Sequence, residues 1–161
     1  MIGFEEFIVA TKEQDLLKGF EPQHLERLAA LAREIRFTRD QIIFREGEQH
    51  GVFYLIVEGS VVLEIVAAGR SVLLQTLHAG DAMGWSSLID TNGSGAHFEA
   101  RALSPVRALA FDGAKLRETC ESDTAFGYLM MKSLLGLLTE RLDATRMQVV
   151  DMYAPAGAVR G

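Results

Sequence analysis

LHAGDAMGWSSLIDTNGSGAHFEARALSPVRAL, residues 77–109, decides how this chain is read. His78-Ala79-Gly80-Asp81 has the composition of a turn, and DTNGSGA after Ile89 that of a loop. HFEARAL and VRALAF, separated by Ser104-Pro105, read as two short strands. Between turn and loop, Gly84 leads into WSSL, which reads as a short helix. A helix start presents unpaired N–H groups that attract an anion, and a glycine lets backbone come close to it. The segment therefore points to a strand-rich domain with an anion-cradling loop inside it.

Upstream, VFYLIV (residues 52–57) is β-branched and aromatic, and Glu58-Gly59, SVVLEIV, Ala68-Gly69 and SVLLQTL follow it. Phe37, Ile42, Ile43 and Phe44 precede the turn-like GEQHG. Short strands with glycine-bearing turns at this rhythm predict a sandwich or jelly roll. Further upstream, GFEPQHLERLAALAREIRF (residues 19–37) reads as helical. Pro22 suits its first turn, and Leu25, Leu28, Ala29, Ala32 and Ile35 share one face. The first fifteen or so residues show no clear period and read as an arm or a short helix.

Downstream, Asp112 is placed to cap GAKLRETCE, and Ser122 or Asp123 to cap a long helix running to about Tyr153. Met131, Leu135, Leu138, Leu142, Thr145, Val149 and Met152 step alternately by four and three. That is a coiled-coil seam, so a homodimer through this helix is expected. Gly127 and Gly136 interrupt the helix at about 1 kcal/mol each, which is tolerable where helices approach closely. The expected divisions are an arm (1–19), a β-roll (20–122), the long helix (123–153) and a flexible tail (154–161).

The 161 residues are 48% hydrophobic and 24% charged, enough for one folded domain with a core. A net charge of −6 without a basic block argues against a nucleic-acid surface. The single cysteine, Cys120, rules out an intrachain disulfide and fits a reducing compartment. No apolar run nears the ~20 residues of a membrane span, and the N-terminus lacks a basic signal-peptide start. A cytoplasmic location is expected. His24, His50, His78 and His97 are isolated, without the close spacing of a metal site, so no metal and no enzymatic centre are expected.

Four segments in register carry a resemblance. FREGEQHGVFYLIVEGSVVLEI (44–65) supplies front hairpins, LHAGDAMGWSSLI (77–89) a Gly-Asp turn before a cassette, EARALSPVRALAFDGAKLRE (99–118) two closing strands, and ERLDATRMQV (140–149) part of a long helix. Together they resemble the cyclic nucleotide-binding domain of catabolite-activator and Fnr-type bacterial regulators, over residues 20–153. The resemblance implies a mainly β fold with helices: a cyclic-nucleotide-binding β-roll (a double-stranded jelly roll), an N-terminal helix and a long C-terminal dimerisation helix. It implies a cassette ligand site at Gly84, Trp85, Ser86, Ser87, Ala96 and His97, with base contact from Thr145 or Arg141 on the long helix. The bound group would be a cyclic nucleotide or another small anion.

The chain departs from the family pattern at two cassette positions. The family has Gly-Glu at the cassette start, where a carboxylate accepts the ribose hydroxyl; this chain has Gly84-Trp85. The family has an arginine before the closing strand; this chain has Gly95-Ala96-His97, and Arg101 aligns with a strand arginine instead. Losing one arginine–phosphate pair costs about 1.5–3 kcal/mol, roughly tenfold to a hundredfold in affinity. Weak or absent binding of cyclic AMP follows. Trp85 is placed to stack on a ligand ring or to plug the pocket, His97 to meet an anion when protonated, and Ser86 and Ser87 to donate to a phosphate or to cap their own turn. Replacing Trp85 by Glu and Gly95 or Ala96 by Arg is expected to restore affinity.

Two functions remain open at this point: a dimeric regulatory sensor, and a ligand-free subunit acting through an unknown protein partner. A third, a transcription regulator, requires a helix-turn-helix after the long helix; if the 161 residues are the full chain, no direct DNA binding is expected.

Overall fold

The run VFYLIVE has no polar alternation because the strand it forms is covered on both faces. In the computed structural model, which describes residues 2–89 and 95–153, Val52–Glu58 is the centre of the fold. Phe53 and Leu55 enter a cluster with the helices, while Tyr54 and Ile56 enter a second cluster between two sheets. Alternate side chains diverge by the pleat, and both directions find apolar neighbours.

Eight strands form in chain order: β1 Ala32–Phe37, β2 Ile42–Phe44, β3 Val52–Glu58, β4 Val61–Ala67, β5 Arg70–Leu77, β6 Ala82–Met83, β7 Glu99–Ala102 and β8 Val106–Asp112. They make two four-stranded sheets of order β1-β8-β3-β6 and β2-β7-β4-β5, with every pair antiparallel. Val61 and Leu63 of one sheet face Ile56, Ala108 and Ala110 of the other across the inner core. This is the expected β-roll. Its β4–β5 hairpin turns through Ala68 and Gly69, both at positive φ (53° and 76°), the backbone that a two-residue turn between twisted strands requires.

Four helices close the outer face of the first sheet: α1 Phe4–Thr11, α2 Pro22–Leu31, α3 Gly113–Ser122 and α4 Thr124–Tyr153. Residues read as an arm or short helix form α1 and a 3-10 turn at Asp15–Leu17. Phe7 is fully buried, and the Gln14 side-chain amide donates to the Ile56 carbonyl at 2.7 Å, so this segment is part of the core.

The helix expected over residues 19–37 is corrected. It stops at Leu31, and Ala32 turns extended to open β1, whose six residues pair with β8 from Ala32–Phe111 to Phe37–Val106. Leu28 and Ala29 keep the buried helical face, but Ala32 is buried as a strand residue and Ile35 lies opposite Ala108. A ladder partner overrides local helical periodicity here.

Both expected caps form. The Asp112 carboxylate accepts from the Lys115 amide at 3.1 Å, and the Asp123 carboxylate from the Phe126 amide at 3.2 Å. Helix α4 carries two apolar stripes. Phe126, Met130 and Leu134 are buried against the roll, while Met131, Leu135, Leu142, Val149 and Met152 are exposed and Leu138 half-buried. A Cβ on Gly127 would collide with the Cys120 carbonyl, so this glycine allows α3 and α4 to approach closely; Gly136 has open space beside it. The expected tail, 154–161, and residues 90–94 of the loop DTNGSGA lie outside the described residues.

Candidate ligand site

Gly84 ends β6 at φ 79°, and a Cβ there would collide with the Val52 carbonyl on β3. The glycine is therefore demanded by strand packing. It turns the chain into one 3-10 turn, Trp85–Leu88, in place of the expected short helix. The Ser87 amide and hydroxyl both donate to the Gly84 carbonyl, at 3.1 and 2.7 Å, so this buried hydroxyl is already engaged.

Further along the chain, Gly95 adopts φ 73° and a Cβ on it would collide with the Gly47 carbonyl. The Ala96 amide donates to the Glu48 carbonyl at 2.9 Å, and the Ala96 carbonyl accepts from Gly47 at 2.7 Å. These bonds hold Ala96 inside and bring His97 over the turn. There the His97 imidazole stacks on the Trp85 indole, with centroids 4.9 Å apart and planes 10° apart.

Beneath the stack is a cavity of about 10 Å³, room for about one water. Gly84, Trp85, Ser86, Ala96 and His97 line it together with Phe44, Leu63, Met83, Phe98 and Arg141. Five of the six cassette residues singled out in the sequence thus surround one space, and Ser87 lies just behind it. Ser86 also borders a second, open cavity of about 320 Å³ that reaches His50, Asp112 and Arg117.

Arg141 enters from α4 and is 7% exposed. Among the described residues its buried Nε and Nη2 have no hydrogen-bond partner. Burial pushes the guanidinium down to about 10 against the attraction of Asp81 and Glu140, so it remains a cation at neutral pH. Thr145, the other base-contact candidate, is exposed and its hydroxyl donates to the Arg141 carbonyl at 2.9 Å, within its own helix. Arg101 lies elsewhere, paired at 2.8 Å with Glu64 on the neighbouring strand.

The remaining histidines are separately engaged. His24 accepts from the Glu21 amide at 3.3 Å, His50 contacts the Tyr54 hydroxyl at 3.0 Å, and His78 contacts Ser60 at 3.2 Å. Burial lowers the His50 pKa and raises that of Tyr54 to about 12. Among the described residues no group of three His, Cys, Asp or Glu is placed to hold a metal ion, and no helix is long and apolar enough to cross a membrane.

Comparison with known proteins places these features in a family context. The family model described as "Cyclic nucleotide-binding domain" matches residues 34–123. The chain is 28% identical over 133 residues to the cAMP-activated global transcriptional regulator Vfr of Pseudomonas aeruginosa, covering 81% of this chain and 60% of that protein. It therefore spans less than two thirds of that relative's length. A crystal structure described as a cyclic nucleotide-binding protein of Geobacter metallireducens is 28% identical, with a TM-score of 0.74 over 88% of this chain and 99% of the other. The catabolite activator protein of Thermus thermophilus shares the fold at 22% identity and a TM-score of 0.69, over 85% of this chain and 62% of the other.

Proposed function

The chain belongs to the cyclic nucleotide-binding domain family, and from that premise we propose that it is a non-enzymatic, dimeric sensor module of Crp/Fnr type. Its ligand enters the cassette cavity, and cyclic AMP binds weakly or not at all. One observation carries this reading: Arg141 of the long helix is buried and cationic in the wall of the cassette cavity, and its Nε and Nη2 have no hydrogen-bond partner among the described residues. A buried charge without a partner is costly, and a bound anion removes that cost. The same residue sits one step from Leu142 on the exposed apolar stripe, so filling the cavity bears on the face through which two copies associate. A ligand with different affinity for two helix arrangements then shifts their populations.

The altered cassette supports the weak-nucleotide part. The place of the ribose-binding carboxylate is taken by Trp85, which with His97 closes a space of about 10 Å³. Calorimetric titration of the purified protein with cyclic AMP, cyclic GMP and a cyclic dinucleotide tests it. Dissociation constants above about 100 µM are expected for all three, some 5.5 kcal/mol of binding free energy or less. Low-micromolar cyclic AMP binding sinks the altered-cassette reading.

A second reading, that the chain is the sensing part of a DNA-binding regulator, is favoured by its identity to the Pseudomonas regulator. Joining the chain to a helix-turn-helix domain and measuring ligand-dependent operator binding distinguishes this from a subunit acting through protein contacts.

A further inference from the structure

We infer that the cassette cavity is built for a flat monocarboxylate held end-on by Arg141, an assignment that rests on the cavity being a ligand site. Three observations carry it. Nε and Nη2 of Arg141, which have no hydrogen-bond partner among the described residues, form one edge of the guanidinium. Their N–H bonds run parallel, and that fork matches the two oxygens of a carboxylate in one plane.

The charge balance points to a monoanion. Arg141 is the only Lys or Arg lining the cavity among the described residues, and Asp81 and Glu140 already act on it. A doubly charged phosphate monoester would bring an uncompensated charge into a buried space. A cyclic phosphodiester is also a monoanion, but it carries two ester oxygens and a fused sugar directly at phosphorus. Either ligand has to open the roof, because the space of about 10 Å³ beneath the stack holds about one water; the planar carboxylate needs the smaller opening at the fork, and the nearby Ser87 hydroxyl that a phosphate could use is bound to Gly84. A carboxylate has only three heavy atoms, and the fork satisfies both oxygens.

The rest of the wall sets the ligand body. Phe44, Leu63, Met83 and Phe98 are apolar, and the mouth is closed by the Trp85–His97 stack. A flat conjugated ring that displaces His97 from the indole keeps the stacking while its carboxylate reaches Arg141.

The test uses benzoate and cinnamate as probes, with acetate, inorganic phosphate and cyclic AMP beside them, on the wild-type chain and on Arg141→Lys and Arg141→Met. Binding is read by calorimetry, and for benzoate also by emission from Trp85, the only tryptophan. Saturable binding of benzoate or cinnamate is expected, at least tenfold weaker in Arg141→Lys and lost in Arg141→Met, with acetate and phosphate silent. Thermal unfolding and sedimentation of both variants establish that they remain folded and keep their mass. Silence with both aromatic carboxylates, or equal binding by Arg141→Lys, overturns the assignment. If cyclic AMP alone binds and depends on Arg141, the carboxylate class is wrong and the sensor reading stands. If every probe is silent and Arg141→Met changes the oligomeric mass, the fork belongs to a partner protomer and both readings fall.

Discussion

The indole of Trp85 and the imidazole of His97 are stacked with their planes 10° apart, and together they roof the cavity into which Arg141 projects. Each was singled out in the sequence for a different reason, one as the replacement of a carboxylate and the other as the neighbour of a lost arginine. Their pairing joins in one contact the two positions at which the sequence was read as departing from the family pattern. The backbone bonds of Ala96 to Gly47 and Glu48 set His97 where its ring lies flat on the indole.

Trp85→Ala removes half of that stack and part of the cavity roof. Trp85 is half-buried and packs on the helix-side core, so a loss of about 2 kcal/mol in stability is expected, below the 3–5 kcal/mol of a fully buried tryptophan. Urea unfolding monitored by circular dichroism measures it. A loss under about 0.5 kcal/mol, the level of an ordinary surface substitution, would mean the stack contributes little to closing the site.

Restoring the family pattern is now a sharper experiment than the sequence alone allowed. Gly95→Arg is excluded, because position 95 lies at φ 73° and any Cβ there meets the Gly47 carbonyl. Ala96 lines the cavity without that constraint. Trp85→Glu with Ala96→Arg is expected to raise cyclic AMP affinity about tenfold to a hundredfold over the wild type, the worth of one charge-assisted phosphate pair. No gain in calorimetry from a folded double variant would show that the cassette backbone has left the family shape.

The β-roll was legible in the sequence because turns such as Ala68-Gly69 and Glu58-Gly59 punctuate strands whose apolar content is high. The end of α2 was not. Ala32 and Ile35 continue the helical period of Leu25 and Leu28, and only pairing with β8, distant in the chain, makes them a strand. The cassette positions were legible by their place after Gly84, but their geometry was not: stacking of Trp85 on His97 depends on a backbone contact between Ala96 and Glu48. Arg141 was visible in the sequence only beside Thr145, as a base-contact candidate on the long helix. Which of the two points inward depends on how α4 rotates against the roll, and that follows from the buried row Phe126, Met130, Leu134 and Arg141.

Arg141→Met is expected to stabilise the ligand-free protein. Burial lowers the guanidinium pKa from its ordinary value to about 10, a charging cost on the order of 3 kcal/mol. Methionine keeps much of the apolar stem and removes the charge, so a net gain of about 1–2 kcal/mol is expected. Thermal unfolding at neutral pH reads it directly. A destabilised variant would mean that the guanidinium already has a partner, and the argument for an anion in the cavity would weaken accordingly.

His50 makes stability depend on pH. It stacks on Tyr54 with ring centroids 5.5 Å apart, contacts Phe44, and burial lowers its pKa from 6.5 against the pull of Glu48. The folded protein therefore favours neutral imidazole. The stability it contributes is complete above 6.5 and declines as pH falls from there through the lower folded value, since the unfolded chain takes up the proton first. His50→Gln keeps a polar partner for Tyr54 but cannot titrate. Its melting temperature is expected to fall less than that of the wild type over this interval; parallel curves would assign the pH dependence to other groups.

The exposed stripe of α4 yields the test of association. Leu135 is 66% exposed, Leu142 68% and Met152 78%, while Met130 and Leu134 on the adjacent row are almost fully buried. An exposed heptad row of leucine and methionine marks a candidate association surface, and the four–three spacing is the one that lets two such helices interlock. Leu135→Asp with Leu142→Asp puts two like charges on the seam and leaves the roll-facing row untouched. Sedimentation equilibrium is expected to give twice the 17.7 kDa chain mass for the wild type and the single-chain mass for the variant, with the β-roll still folded by circular dichroism. A wild type that sediments as a monomer at tens of micromolar would remove the helix pair from the mechanism, and ligand binding would then have to act through some other face.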